Sequence, residues 1–432
     1  MKYLTDIQTA HTAPQELELL FQTAQKENGV TEFKADLLTC YRAAPDNVLY
    51  AAWYYRFERI PLETPAERRA INWKLALPIS LATGLIVWLL SAERFAHKPS
   101  NMPYLALLAA PIIGLFTLAF LSLTAKAGYR RALVVGGGLT LAVAYTLLLA
   151  STRQHYRELM IPHLFLLSWA AVGAGVIGLG TPPKNKFAFL IKSVEVMVTG
   201  GVYLIATLIF SGIALNMFTT LDIRIPEAIN RLMYVGLGGV IPLLAIASVY
   251  DPMVSPASQE FKRGVGRLII TFPRILLGLT LVVLIIYLIA IPFNFMAPFK
   301  NREVLITYNL MLFAVMGLLV GATPVTLDDL SPRYQTALRV GILAVTSVVI
   351  VISLYALAAV VYRTMDDVLT INRLTIIGWN TINIVLLTLL IYRQLRGGAA
   401  VWLDSLHWTF STGIVLYIAW AVFLTLATPW LF

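Results

Sequence analysis

Eleven stretches of about 20 apolar residues constrain this chain more than any other feature of its sequence. A helix needs about 20 mostly apolar residues to cross a bilayer, and its backbone polar groups must be paired within the segment. The stretches are 74–91, 103–125, 132–151, 161–180, 187–216, 231–250, 275–292, 303–323, 335–362, 371–393 and 406–427. We number them as spans 1–11 and predict an all-α, polytopic transmembrane helix bundle.

The composition excludes the main soluble classes of protein. Hydrophobic residues make up 58% of the chain and charged residues only 13%, whereas a soluble domain carries about 25% charged residues. A cytosolic enzyme, a disordered tail and a secreted disulfide scaffold are therefore excluded. Cys40 is the only cysteine, so an intramolecular disulfide or a cysteine-based metal cluster cannot form. A nucleic-acid partner is not expected, because no dense basic stripe interleaved with aromatic residues occurs.

The polar start of the chain predicts a small helical domain over residues 1–70. Helical spacing of apolar residues recurs there, and no apolar region that would suggest a signal peptide follows the first residue. We expect either a cytosolic cap on the membrane part or a docking module for a protein partner. The remaining chain divides into residues 71–160 with spans 1–3, residues 161–298 with spans 4–7 and residues 299–432 with spans 8–11.

The basic residues of the connections predict the orientation. Connections after even-numbered spans, counted with the adjoining span ends and the entry to span 1, hold seventeen Lys and Arg, against ten after odd-numbered spans counted in the same way. The positive-inside rule then predicts a cytoplasmic N-terminus. Residues 259–274 mix four basic residues with apolar ones, which predicts an interfacial helix leading into span 7.

Two short motifs recur at one spacing of 142 residues. Ile229-Asn230-Arg231-Leu232 recurs as Ile371-Asn372-Arg373-Leu374, and Thr181-Pro182 recurs as Thr323-Pro324. Spans 4–7 would then correspond to spans 8–11. Because each unit holds an even number of spans, the repeat is predicted to be parallel, with a pseudo-two-fold axis along the membrane normal.

Asn and Arg in the repeated motif predict local roles at the starts of spans 6 and 10. Asn can accept hydrogen bonds from backbone donors at a helix start. Arg at that position opposes the helix dipole, so a specific acceptor is expected. The nearest acidic candidates are Asp222 or Glu227 for the first copy and Asp366 or Asp367 for the second.

Few polar side chains interrupt the spans, and they are the candidate site residues. Lys192 and Glu195 are spaced i, i+3 near the start of span 5. The pattern favours an ion pair at the membrane edge, with Lys192 reaching the interface, over a proton or substrate site in which Glu195 titrates. Asn380 and Asn383, one turn apart in span 10, favour interhelical hydrogen bonds over a polar substrate path.

The other motifs indicate no catalytic residue, metal ligand or cofactor. The histidines do not pair at metal-ligand spacing, and no Walker loop or nucleophile elbow occurs. Asp404 and His407 lie between Trp402 and Trp408, a pattern typical of an aromatic anchor at the membrane interface.

The start of span 10 resembles a family signature. The stretch contains Tyr362-Arg363, then Leu369-Thr370-Ile371-Asn372-Arg373-Leu374, and continues with Ile377-Gly378-Trp379-Asn380. It is similar to the pattern Tyr-x-Arg, Gly-Leu-Thr, two residues and Arg of a family of polytopic bacterial inner-membrane proteins, with Val368 at the Gly position. That family carries only a domain-of-unknown-function label. The resemblance implies a bacterial inner membrane and many spans, and it implies no activity.

Three classes of function are compatible with these features. A non-catalytic scaffold or accessory subunit of an envelope complex ranks first, because polar side chains are sparse in the spans. A secondary transporter or channel ranks second, since parallel repeats are common among transporters. A lipid-modifying enzyme ranks last, because no cluster of Arg, His and Asp is present.

Overall fold

The structure, a computed structural model, describes residues 2–27, 29–59, 71–92, 95–97, 102–150, 153–178, 180–261, 264–327 and 330–432. The chain divides into two compact units, residues 1–70 and residues 71–432.

Four helices form the described part of the first unit: α1 (Leu4–Thr9), α2 (Pro14–Lys26), α3 (Val30–Ala43) and α4 (Val48–Arg59). The helical spacing of apolar residues in this part of the sequence is seen in α2, α3 and α4. An aromatic cluster of Phe21, Phe33, Trp53 and Phe57 forms its core, with ring centroids 5.2–6.1 Å apart. Such edge-to-face contacts contribute about 0.5–1.5 kcal/mol each beyond burial of their area.

The second unit confirms the prediction of eleven spans in the described residues. The helices long and apolar enough to cross a bilayer are Trp73–Leu90, Leu105–Ala125, Tyr129–Ala150, Gln154–Ile177, Pro183–Thr220, Glu227–Val249, Gly264–Asn294, Arg302–Ala322, Pro332–Asp366, Ile371–Gly397 and Trp402–Leu431. We keep the numbers of spans 1–11 for them. The chain is therefore an integral, multi-pass membrane protein.

Minor elements complete the second unit. A two-residue antiparallel β pair, β1 (Ala96–His97) with β2 (Met102–Pro103), lies between spans 1 and 2. A 3₁₀ turn, Pro256–Ser258, lies between spans 6 and 7, and a short helix, Ala297–Lys300, follows span 7. Span 7 ends in the 3₁₀ turn Ile291–Asn294.

Three spans differ from their predicted form. Residues 264–274 of the segment predicted to be an interfacial helix run into span 7 without a break, because Gly264–Ala290 is one continuous α-helix. The interfacial position of this segment stays a prediction. Span 5 has 38 residues and is about 57 Å long, nearly twice the hydrocarbon thickness of about 30 Å. Span 6 contains a π-helical turn at Leu232–Gly236, directly after Arg231.

The spans form two packed groups, which divide in the sequence between span 6 and span 7. Span 6 lies between spans 1 and 5, and span 2 packs on span 4. Span 10 lies between spans 9 and 11, and span 7 packs on spans 8 and 9. Span 11 joins the groups through its contacts with spans 4 and 5.

The contacts of the two Thr-Pro copies and of Gly236 and Gly378 can be compared between the predicted repeat units. Thr181 Oγ1 donates to the carbonyl of Ile177, and Thr323 Oγ1 donates to that of Leu319, four residues earlier in both copies. The helix ends differ, because Thr323 is the C-cap of span 8, whereas span 4 ends at Ile177, before Thr181. Gly236 faces Trp88 of span 1, whereas Gly378 faces Trp420 of span 11.

Span 1 therefore packs against span 6 at Gly236, as span 11 packs against span 10 at Gly378. The correspondence of span 7 with span 11 stays a prediction, which a superposition of the two repeat units would test.

Candidate functional site

Lys192 and Glu195 form an ion pair inside the protein, which corrects the expectation of a pair at the membrane edge. Their side chains are 3% and 10% exposed, and Lys192 Nζ lies 2.7 Å from Glu195 Oε2. Lys192 is nine residues into span 5, or about 14 Å along the helix axis. A lysine can reach the interface only where lipid or water borders its side chain, and packed protein surrounds this one.

The connection between spans 6 and 7 encloses this pair. Lys192 Nζ also donates to the carbonyl oxygen of Glu260, and it lies 5.0 Å from the centre of the Phe261 ring. At Gly266 an added Cβ would lie 3.0 Å from Glu195 Oε1. The buried charge pair of span 5 therefore contacts the connection through Lys192 and lies against the start of span 7 through Glu195.

Two further contacts hold this connection on span 5. Asn185 Oδ1 accepts a hydrogen bond of 3.0 Å from the backbone N–H of Ala257. Gln259 folds the connection on itself, since its side chain bonds both the N–H and the carbonyl of Asp251. We call Lys192, Glu195 and residues 250–261 the ion-pair site.

His407 lies near the same end of span 5 and is 1% exposed. Its Nε2 lies 2.8 Å from the carbonyl oxygen of Pro324, and its ring stacks on Phe187 with centroids 4.6 Å apart. The prediction of an aromatic anchor at the membrane interface is therefore wrong for His407, because the packing of spans 5 and 11 buries its ring.

Asn380 and Asn383 both make the interhelical hydrogen bonds that the sequence favours. Asn380 Nδ2 donates to Asn309 Oδ1 of span 8 over 2.8 Å, and the hydroxyl of Tyr417 in span 11 donates to Asn383 Oδ1. Both asparagines are 1% exposed. Asn309 Nδ2 in turn donates to the carbonyl of Leu305.

Aromatic rings extend this group to span 4. Trp379 lies 5.0 Å from Tyr417 and 6.0 Å from the ring of His163, measured between ring centroids. His163 is 4% exposed, and its Nδ1 lies 2.7 Å from the carbonyl oxygen of Leu159. We call His163, Asn309, Asn380, Asn383 and Tyr417 the polar cluster, which draws on spans 4, 8, 10 and 11.

Three buried polar atoms of the polar cluster have no hydrogen-bond partner among the described residues. They are His163 Nε2, Asn380 Oδ1 and Asn383 Nδ2. An unpaired buried donor or acceptor costs about 1–3 kcal/mol, and native structures usually satisfy such atoms with protein or water. The hydrogen-bonding capacity of the cluster is thus only partly used by the chain itself.

The two repeated arginines both have acidic partners, as predicted. Arg231 Nε lies 3.3 Å from Glu227 Oε1, and Arg373 Nη2 lies 2.9 Å from Asp367 Oδ2. A hydrogen bond from the Val368 N–H, and to a smaller extent Arg373, holds the pKa of the Asp367 carboxyl below its usual range.

The repeated asparagines do not cap their helices in the structure. Thr370 Oγ1 accepts from the N–H of Arg373 and caps span 10. Asn372 lies within the first turn and is exposed, and so is Asn230. The expectation of asparagine caps is therefore wrong.

Sequence reasoning missed three members of the polar cluster: His163, Asn309 and Tyr417. Only the packing brings Asn309 and Tyr417 to Asn380 and Asn383, and His163 to Trp379 beside them. No group of three His, Cys, Asp or Glu that could hold a metal ion occurs in the described part of the chain.

Comparison with known proteins gives no relative for this chain. No family model, no curated protein and no solved structure matches it.

Proposed function

We propose that this protein is a conduit for small polar solutes across the membrane, working as a secondary transporter or channel. The polar cluster supports the proposal, because four spans bring five polar side chains together and leave three buried atoms unpaired. Water or a passing solute would satisfy those atoms. The cluster and the buried ion pair also remove the main argument for ranking a scaffold first, which was the sparse polar interior.

The chemistry of the polar cluster favours a neutral solute. Its side chains are amides, an imidazole and a phenol, which both donate and accept hydrogen bonds. Trp379 and Phe313, with centroids 5.9 Å apart, add aromatic surface beside it. A hydroxylated or amide solute of a few heavy atoms matches such a lining.

The ion-pair site is assigned the role of closing one end of the path. It joins span 5 to the connection before span 7, and these spans belong to the two groups of packed helices. Ionisable residues within spans often mark pathways and proton relays. On the topology predicted from the basic residues, this end faces the cytoplasm, as does the N-terminus, and the family resemblance suggests a bacterial inner membrane.

Swelling of proteoliposomes tests the proposal directly. The purified chain is reconstituted, and stopped-flow light scattering follows the entry of glycerol and urea. We expect faster entry than into empty liposomes, and loss of the difference in Asn383→Leu, which removes the amide and leaves a similar volume. Asn372→Leu is the matched control, because Asn372 is an exposed asparagine of the same span.

Equal rates in protein-containing and empty liposomes for both solutes would contradict the proposal. A loss of transport in Asn372→Leu as large as that in Asn383→Leu would show that the effect does not come from the polar cluster.

A scaffold role remains the second candidate, favoured by the first unit. Its compact helical core leaves Leu19, Val48 and Tyr55 more than half exposed, which is a surface that a protein partner could cover. Purification of the full chain from native membranes should then bring down a stoichiometric partner that Tyr55→Ser loses. Such a partner together with absent solute flux would favour the scaffold.

A further inference from the structure

A large open groove lies at the end of span 5 opposite the ion-pair site. Its volume is about 990 Å³, which is at the upper end of the range for small-molecule sites. The last turns of span 5, the connection to span 6 and the first turns of span 6 form its walls. Its lining includes Leu208, Ile209, Ile213, Asn216, Asp222, Arg224 and Asn230.

The groove is graded from apolar to polar along span 5. Leu208, Ile209 and Ile213 are 43–60% exposed and lie within the apolar part of the span. Asn216 follows one turn later, and Asp222 and Arg224 lie in the connection beyond the helix end. From Ile209 to Thr219 the helix rises about 15 Å, so the polarity changes over the distance between acyl chains and head groups.

The two charged residues of the groove are of opposite sign. Arg224 makes no hydrogen bond or ion pair with any described residue, whereas Arg231 nearby is occupied by Glu227 and by the hydroxyl of Ser91. Asp222 has a φ of +56°, a conformation that aspartate and asparagine tolerate better than most residues. The tight turn that follows from it brings the N–H of Ile223 to the carbonyl of Phe218.

We infer that this groove binds one phospholipid with a zwitterionic amine head group, such as phosphatidylethanolamine. A guanidinium binds a phosphate through two parallel hydrogen bonds, which assigns the phosphate to Arg224. A primary ammonium has three donors, which Asp222 and the amide oxygens of Asn216 and Asn230 can accept. The acyl chains lie along the apolar wall.

The amphipathic wall commits the site to a lipid rather than to a free phosphate compound. A water-soluble head group would leave Leu208, Ile209 and Ile213 without a role, whereas these side chains extend the site towards the bilayer centre. The inference is independent of the proposed solute path, since none of the polar cluster residues lines the groove.

Native mass spectrometry of the full chain in detergent tests this site. Phosphatidylethanolamine, phosphatidylglycerol and phosphatidylcholine of the same chain length are added, and dissociation constants are taken from the bound fractions. We expect phosphatidylethanolamine to bind best, because the choline head group has no N–H donor and phosphatidylglycerol has no cation for Asp222.

Substitutions separate the two charges. Arg224→Gln should weaken phosphatidylethanolamine and phosphatidylglycerol alike by about 10- to 100-fold, which corresponds to one hydrogen-bonded charge. Asp222→Asn should weaken only phosphatidylethanolamine, and asparagine keeps the backbone conformation. Arg302→Gln, at an exposed arginine that does not line the groove, is the control and should change nothing.

Three results would overturn the inference. Equal binding of the three lipids, or an unchanged affinity in Arg224→Gln, would show that the bound lipids are unspecific. Equal binding of glycerophosphoethanolamine, which lacks acyl chains, would contradict the commitment to a lipid. Arg224→Lys keeps the positive charge, so it should bind more tightly than Arg224→Gln, and a similar loss in both variants would contradict the role of the charge.

Discussion

Removal of one charge from the buried ion pair should destabilise the protein far more than removal of one charge from an exposed pair. In Glu195→Gln, Lys192 keeps the carbonyl of Glu260 and the Phe261 ring but loses its counter-charge. Removing one partner of a buried ion pair costs about 3–5 kcal/mol. We expect a loss of this size in the free energy of unfolding.

The double variant gives the opposite expectation. When Lys192→Met and Glu195→Met are combined, no charge remains buried, and replacement of buried pairs by apolar residues of similar volume is often neutral or stabilising. The carbonyl of Glu260 loses one donor, which costs about 1 kcal/mol. The double variant should therefore be more stable than Glu195→Gln alone, although it lacks the whole pair.

Unfolding in mixed micelles, with sodium dodecyl sulfate as denaturant, measures these free energies through tryptophan fluorescence. Glu227→Gln is the matched control, since it makes the same change in the Arg231–Glu227 pair, where the Glu227 side chain is 66% exposed. Exposed pairs contribute about 0–1 kcal/mol. Equal losses for Glu195→Gln and Glu227→Gln, or additive effects of the two Met substitutions, would refute the reasoning.

Three other predictions concern single positions. Gly378→Ala should lower the free energy of unfolding by about 1–3 kcal/mol, because the new methyl group overlaps the Trp420 ring. In the control Gly317→Ala, the methyl group meets no atom within 4 Å, so this variant should be neutral. The same micelle titration measures both. Asp367 has a lowered pKa through the Val368 N–H and Arg373, so its ionised carboxylate stabilises the protein at neutral pH, and this stabilisation fades as pH falls towards and below its usual pKa. Thermal unfolding of the protein and of Asp367→Asn is measured from pH 7 to pH 3. The part of the pH dependence of stability that comes from Asp367 should be absent in the variant. An impermeant maleimide should label Gln22→Cys only after cells are opened, and labelling in intact cells would reverse the predicted orientation.

The orientation test needs a new cysteine because the native one is buried. Cys40 is 2% exposed, and burial raises the pKa of its thiol. Since the thiolate is the reactive form, Cys40 should react slowly with a maleimide on either side of the membrane. Position 22 is exposed, so its labelling reports the side of the membrane alone.

The number of spans could be predicted from the sequence, and the site could be predicted only in part. Apolar length alone predicts a spanning helix, which is why the eleven spans could be predicted. The helix ends were predicted less well, since span 7 begins at Gly264, eleven residues before its predicted start. Burial of Lys192 could not be predicted, because it depends on how residues 250–261 fold back on span 5. His163 and Tyr417 carry no signal within their own spans, since helix packing alone brings Tyr417 to Asn383 and His163 to Trp379. Clustering of polar residues across spans is a property of contacts between distant positions, 34 apart for Asn383 and Tyr417 and 71 apart for Asn309 and Asn380.

Span 5 is so long that a small tilt at one of its ends displaces the other end by several ångströms. Glu195 and Asn216 are 21 residues apart on one continuous helix, so about 32 Å of helix separates the buried charge pair from the lipid groove. A tilt of about 5° around the Glu195 end would displace the far end by about 3 Å, which is enough to widen or narrow a groove bounded by spans 5 and 6. Gly200 and Gly201 lie between the two sites, and the helix can bend most easily at this pair. A thicker bilayer would favour a more upright span 5. We therefore expect membrane thickness to affect the packing around the charge pair.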